Sequence, residues 1–262
     1  MPVLETAAIV LRTIDYGEAD RVVTLFGRST GSVSAIARGA RKSQRRFGGG
    51  LGLGAVGVVA LRERAGSELC TLERFDVTET HPGLGGEVLK VAELAYAAEL
   101  VTKLCAPRQP EPDVFDALRE LIGLVAEEGP SGARLRVFEL LLLDRLGFGP
   151  VLDACVVCGR EDLSRAETID VRWNPERGGV VCRACGSVGR PMRPVVRLAL
   201  CRYAELPLAA ALEKAAEAGG APPIEPDVAR GCRDALAELV ATHLSAPLRS
   251  LEFLAKLEVP GD

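Results

Sequence analysis

Two groups of residues in this 262-residue chain have types and spacings that can do chemistry. The first is Cys155-Val-Val-Cys158-Gly159, followed after 23 residues by Cys182-Arg-Ala-Cys185-Gly186. Two residues between thiolates let both sulfurs of a knuckle reach one ion. The glycine after each pair permits the positive φ that turns backbone N–H groups toward sulfur. This spacing predicts a tetrahedral site for one Zn²⁺. A four-thiolate iron or iron–sulfur site would use the same ligands, but nothing else in the chain implies electron transfer. Four thiolates leave no open coordination position, so the ion is expected to be structural, a staple for a segment too short to own a core. Residues 155–190 hold six Arg and five acids, so the zinc-loaded module comes to about −1 and should hold shape rather than phosphate. Cys70, Cys105, Cys201 and Cys232 lack paired spacing and read as buried apolar thiols.

The second group is basic. Arg38, Arg41, Lys42, Arg45 and Arg46 place five cations in nine residues with no acid among them, and Phe47 and three glycines follow. Guanidinium groups on a flexible loop can meet phosphate oxygens at many angles, and about five of them would make nucleic-acid binding steeply salt-dependent. A solvated surface loop has the same composition. In the first 80 residues the aromatics are Tyr16, Phe26, Phe47 and Phe75, so base stacking is expected to be a minor resource.

Other motifs argue against catalysis. Gly52-Leu-Gly54-Ala-Val-Gly57 fits G-x-G-x-x-G, but the glycines precede the strand-like Val58-Val-Ala-Leu61 where a dinucleotide fingerprint must leave a strand and open a helix. Turning and bulge formation account for them better. There is no G-x-x-x-x-G-K-[ST], no H-E-x-x-H and no nucleophile set, and His81 and His243 read as capping or packing residues. An enzyme is therefore not expected. No run of about 18 apolar residues exists to cross a membrane. Met1-Pro-Val-Leu-Glu5 puts no basic segment ahead of an apolar one, so a cytoplasmic location is expected, with the cysteines reduced.

These residues need elements to position them. Apolar residues at 48% and charged residues at 26% describe a folded globular chain. The net charge of −4 is unevenly spread: residues 1–80 hold 11 Lys+Arg against 9 Asp+Glu, and the remainder is acidic by six. Short β-branched runs over 3–12, 21–26, 32–37, 56–64 and 68–78 predict five strands, a number and size that suit an oligonucleotide-binding (OB-fold) Greek-key barrel; SH3-like barrels and open sheets compete. From His81 the spacing becomes helical, with helices over about 113–127, 132–146, 226–244 and 247–257. The expected organisation is α+β and multidomain: a barrel at 1–80 and an α-helical domain at 81–262 carrying the four-cysteine zinc module at 151–189 as an insert.

The chain as a whole resembles the RecO family of bacterial DNA repair and recombination mediators. The resemblance rests on Ala8-Ile-Val-Leu11 with Tyr16-Gly-Glu18-Ala-Asp20, on Gly39-Ala-Arg41-Lys42 with Arg46-Phe47-Gly48-Gly49, and on Leu135-Arg136-Val-Phe138-Glu139-Leu140. Leu146-Gly147-Phe148-Gly149-Pro150, the two cysteine pairs and Arg249-Ser250-Leu251-Glu252-Phe253-Leu254 complete it. It implies DNA contact by Arg38, Arg41, Lys42, Arg45 and Arg46, binding of single- and double-stranded DNA, and annealing of complementary strands. It also implies work with RecR and RecF in loading RecA onto DNA coated by single-strand-binding protein (SSB), at the nucleoid, without covalent catalysis. The acidic, partly apolar SSB C-terminal tail would need arginines beside a greasy pocket, for which Arg134 and Arg136 are the candidates, against their being ordinary exposed helix arginines. A zinc-ribbon nucleic-acid-processing enzyme and a protein-only interaction adaptor are the competing readings.

Overall fold

The computed structural model describes residues 3–42, 44–47, 50–64, 66–161, 171–186, 188–211 and 225–257. Five strands form a closed barrel in the order β1-β2-β3-β5-β4: β1 Val3–Tyr16, β2 Asp20–Gly27, β3 Gly31–Ala37, β4 Val56–Arg62 and β5 Cys70–Glu79. All neighbours are antiparallel except β3 and β5. This is the Greek-key barrel expected from the strand pattern. β1 closes it by serving two partners, pairing over Val3 to Ile9 with β4 and over Ala8 to Tyr16 with β2. A register shift between Val10 and Arg12 bends the strand between the two. That bulge also carries β1 to Tyr16, four residues beyond the stretch legible from β-branched spacing.

Alternate residues fill the interior: Ala8, Val10, Val23, Leu25, Val33, Ala35, Val59, Leu61, Leu72 and Phe75 form its core with Phe47 and Leu51. Gly57 of the apparent fingerprint is a sheet residue. A Cβ there would come within 2.3 Å of the Asp76 carbonyl, and the β4–β5 register shifts between Val56 and Gly57. The glycine serves a bulge, as its place before a strand implied.

The chain packs as two compact units, one of Met1–Pro130 with Leu248–Asp262, the other of Ser131–Pro247. Element type does change at residue 81, but packing groups the chain differently. In the first unit α2 (Val88–Leu104), α3 (Pro112–Glu128) and α7 (Arg249–Leu257) accompany the barrel, and between β3 and β4 lies the one-turn α1 (Gln44–Phe47). The cause is a second apolar surface on the barrel's outside. Ile9, Leu11 and Phe26 are buried although they alternate with interior residues, and the Phe26 ring lies 6.4 Å from that of Phe115 on α3. Backbone contact reinforces it. The Arg108 N–H donates to the Ser32 carbonyl at 3.0 Å, and Gly31 has no room for a Cβ, which would sit 2.0 Å from the Gln109 carbonyl oxygen.

α7 is fixed to α2 by one carboxylate. Glu99 accepts from the Arg249 N–H at 3.3 Å, the Ser250 N–H at 2.9 Å and the Ser250 hydroxyl, so its charge meets the orphan donors at the α7 N-terminus. Burial pushes the Glu99 carboxyl up, but the Ser250 and Arg249 hydrogen bonds outweigh it and hold the group below its ordinary value.

In the second unit, α4 (Gly132–Arg145), α5 (Pro194–Glu205) and α6 (Pro226–Thr242) pack together. The Ser131 hydroxyl caps α4 by accepting from the Arg134 N–H at 3.3 Å. The segment expected to be a coreless insert has a small sheet of its own, β6 (Val171–Asn174) between β7 (Gly179–Cys182) and β8 (Arg190–Met192). Trp173, Val180 and Val181 are fully buried, so the module does own a core.

A pH dependence follows from Glu99. Its folded-state value is depressed, so its contribution is complete above the ordinary carboxylate value of about 4.3 and is lost as pH falls through the lowered one. Glu99→Gln should cost about 1–2 kcal/mol in urea unfolding at pH 7, by loss of charge-assisted hydrogen bonds. The gap between variant and wild type should shrink as pH drops below about 4, whereas a pH-independent gap would remove the carboxylate's role.

Candidate metal centre and nucleic-acid interface

β7 delivers Cys182 at its end, and the Cys155–Cys158 turn is stitched to the same strand by the Val156 N–H donating to the Val180 carbonyl at 3.0 Å. The result brings together all four cysteines singled out by spacing. Their sulfurs lie within 4.8 Å of one another, with Cys158 and Cys182 3.8 Å apart. A tetrahedral ion with Zn–S bonds of about 2.3 Å needs sulfur separations of about 3.8 Å, so the group closes on an ion with small adjustment. Gly159 and Gly186 have φ of +71° and +102°, as the turns after each pair require.

The sulfurs are electrostatically unequal. Burial pushes the Cys155 thiol up, but the N–H groups of Cys182, Cys158 and Val157 turned toward its sulfur prevail and bring it down to about 6. Cys185 is pushed up to about 12, first by its hydrogen bonds with Cys158 and Cys182. Cys155 is thus biased toward the thiolate and Cys185 toward the thiol, and a divalent cation at the centre of the group would displace the Cys185 proton. These residues can hold a metal ion. The other thiols differ: burial pushes Cys105 and Cys232 up to about 12, Cys70 is buried, and Cys201 is half-buried and also raised by burial. His243 stacks on Phe148 with ring centroids 4.1 Å apart, a packing role, and His81 lies 3.8 Å from Glu79.

The basic run occupies the β3–β4 connection as expected, but it is an anchored loop rather than a free one. Phe47 is 2 % exposed and sits in the barrel core. The Gly39 N–H, at φ +66°, donates to the Asp20 carboxylate at 2.8 Å, and the Arg41 N–H donates to the Ala19 carbonyl at 3.1 Å. Arg46 covers the Phe47 ring at 5.0 Å and donates to the Arg38 carbonyl. Arg38, Arg41, Lys42 and Arg46 are exposed, and α1 includes Arg45, whose side chain lies outside the described residues. Arg41 reaches the Glu18 carbonyl and lies 4.0 Å from Asp15. Among the described residues Arg38 and Lys42 have no acidic partner.

Comparison with known proteins now bears on the whole chain. The family model described as Recombination protein O N terminal matches residues 1–81, and that described as Recombination protein O C terminal matches residues 87–252. The chain belongs to the RecO family. It is 39 % identical over 252 residues to a protein of Anaeromyxobacter sp. (strain Fw109-5) named DNA repair protein RecO, covering 96 % of this chain and 95 % of that one. Proteins of the same name in Geobacter sulfurreducens and Myxococcus xanthus are 35 % and 31 % identical over 253 and 252 residues, each alignment covering 95 % of this chain and 96 % of the relative. No described helix is long and apolar enough to cross a membrane.

One expectation needs correction. Arg134 and Arg136 are 0 % and 4 % exposed, where a receptor for an acidic tail requires guanidinium groups at the surface. Arg136 meets the buried Glu139 at 2.9 Å, one helical turn on. α4 is enclosed on nearly every side, so its charges are internal cross-links rather than a solvated face. Arg197, fully buried, likewise donates to the Leu152 carbonyl at 3.2 Å. The signal available beforehand was the near-continuous apolar run over 137–143, which leaves α4 no wet side.

Two outcomes check these placements. Cys158→Ser should lower the bound metal well below one ion per chain in a colorimetric chelator assay and lower the thermal midpoint, and the wild-type ion should dissociate as pH falls below about 6. Glu139→Ala should cost about 3–5 kcal/mol in denaturant unfolding by stranding the buried Arg136 charge. A loss within about 0.5 kcal/mol, the range of ordinary surface substitutions, would contradict the burial of that pair.

Proposed function

We propose that this chain is a non-enzymatic DNA repair and recombination mediator. It binds single- and double-stranded DNA through Arg38, Arg41, Lys42, Arg45 and Arg46, anneals complementary strands, and acts with RecR and RecF to load RecA onto SSB-coated DNA in the bacterial cytoplasm. The observation that carries the reading is the anchored basic loop: exposed cations, two of them without acidic partners among the described residues, held on a barrel of the oligonucleotide-binding type. Its membership in a family whose relatives are named for DNA repair supports the same reading.

The physical route to annealing is charge neutralisation. Two complementary strands repel through their phosphates, and contacts confined largely to phosphate lower that repulsion while leaving base edges free to pair. The four-cysteine centre enters as architecture. A Zn²⁺ held by Cys155, Cys158, Cys182 and Cys185 would cross-link the 155–158 turn to the end of β7. With four thiolates it would have no open position for substrate and would itself carry no catalytic step. Residues 81–130 and 248–257 share a compact unit with the barrel, so a DNA-binding module made of the barrel alone is proposed for residues 1–80 in recognition rather than in folding. With Arg134 and Arg136 buried, the SSB tail must find its cations elsewhere.

Fluorescence anisotropy with a single-stranded oligonucleotide tests the reading. Arg41→Glu combined with Arg45→Glu should abolish most affinity at low salt. Wild-type binding should weaken with a slope in log K against log salt of about −3 to −4, as some five single-strand phosphate contacts require. Complementary strands should pair faster with the protein than without it, and without ATP. A protein that leaves oligonucleotides free in dilute buffer is the interaction adaptor instead.

A further inference from the structure

The outer surface of β1, β2 and β3 changes character along its length. Near Ile9 and Phe26 it is buried, but beyond the β1 bulge it is bare: Ile14 is 46 % and Tyr16 60 % exposed. The register places Ile14 opposite Val22 and Val22 opposite Ile36, an apolar row that is exposed at Ile14, half-buried at Val22 and buried at Ile36, so the bare part is its β1 end. Arg12 borders it on one side, exposed and opposite Thr24, and Arg38 follows the end of β3 on the other. Among the described residues no ring or hydrogen-bond partner engages Tyr16, and no acid pairs with Arg12.

This patch is continuous with the basic loop. Tyr16 stands opposite Asp20, whose carboxylate accepts the Gly39 N–H, and the turn after Tyr16 receives Arg41 through the Ala19 and Glu18 carbonyls. Of the acids nearby, Asp15 is matched by Arg21 at 3.0 Å and lies near Arg41, Asp20 accepts the Gly39 N–H and Glu18 is exposed in the turn, set against the cations Arg12, Arg21, Arg38 and Arg41. A large aromatic left in water, beside an apolar row and among unpaired cations, has the two surfaces that an unpaired nucleotide complements: one for a π-face and one for a phosphate.

We infer that the bare β1 end of this face, made by Tyr16 and Ile14 and bordered by Arg12 and Arg38, is a stacking subsite for one unpaired base of a single-stranded nucleic acid whose phosphates lie along the β3–β4 loop. The inference rests on the proposed phosphate binding by that loop and adds what the loop alone lacks, discrimination of strand state. A base stacked in a duplex cannot open its face to Tyr16. An unpaired base can, and the charged loop treats the phosphates of either form alike.

The test uses the full chain and three probes of equal length: an oligothymidylate, an abasic oligonucleotide and a duplex. Tyr16→Ala should weaken oligothymidylate binding roughly five- to one-hundred-fold, the range for loss of one stacked base, and leave the abasic and duplex affinities unchanged. Tyr16→Phe should bind as wild type does. The sole tryptophan, Trp173, is fully buried, so Tyr16→Trp adds an exposed fluorophore; oligothymidylate should quench it and the abasic strand should not. Equal oligothymidylate affinities for Tyr16→Ala and wild type would overturn the inference and leave the phosphate reading intact. Equal losses on all three probes would show a structural role and overturn it as well. Wild-type protein that ignores every probe would sink the phosphate reading itself.

Discussion

Five like charges within nine residues repel one another, and a chain left to itself would spread them into solvent. Here one aromatic side chain prevents that. Phe47 enters the barrel core at the end of the charged run, where its burial contributes on the order of 2 kcal/mol. The Asp20 carboxylate on the Gly39 N–H pins the beginning. Between these two points the guanidinium of Arg46 lies over Phe47 and reaches the Arg38 carbonyl, and Arg38, Arg41 and Lys42 are exposed. Holding the loop backbone is thus a part of folding, and a phosphate chain that met it would lose correspondingly less to ordering of the loop.

The same loop shows what was legible in the sequence. Its charge density and its place between strands could be read directly, because both are properties of neighbouring residues. Its anchoring could not, since the contact of Phe47 with the interior depends on strands far away in the chain. The cysteine site was legible in full, two short spacings sufficing to specify which sulfurs converge. The sheet built around Trp173 was not, because its strands are three or four residues long and too short to display alternation. The β1 bulge hid the continuation of that strand to Tyr16. The inward position of Arg134 and Arg136 was missed for a related reason: a charge normally marks the wet side of a helix, and α4 has almost none.

The buried charges of the second unit bear on where partners are recognised. Arg134, Arg136 and Arg197 count toward the formal charge of residues 131–247 but are too deeply buried to contact a ligand at its surface. Arg136 is neutralised by Glu139 within the core, and replacing such a pair by apolar residues is often neutral in stability, so its presence points to specificity of packing rather than strength. Among the described residues that unit offers fewer surface cations than its sequence suggests. An acidic peptide or a phosphate chain finds less attraction there than a count of arginines implies.

Charge is therefore allocated by unit. The first exposes cations on an anchored loop and holds several other arginines in surface ion pairs, as Arg28 with Asp116 at 2.8 Å and Arg108 with Glu63 at 2.6 Å, where they join barrel to helices rather than face a ligand. The Asp116 partnership raises Arg28 above its ordinary value, and hydrogen bonding to Arg28 lowers Asp116, so the pair remains charged throughout the range in which DNA would be bound. Such pairs are individually weak and salt-screened. Phosphate would compete with them poorly for Arg28 or Arg108, whose carboxylates are already in place, and well for Arg38 or Lys42, which have none among the described residues. That difference, more than the total of basic residues, localises an electrostatic footprint on a protein whose overall charge is negative.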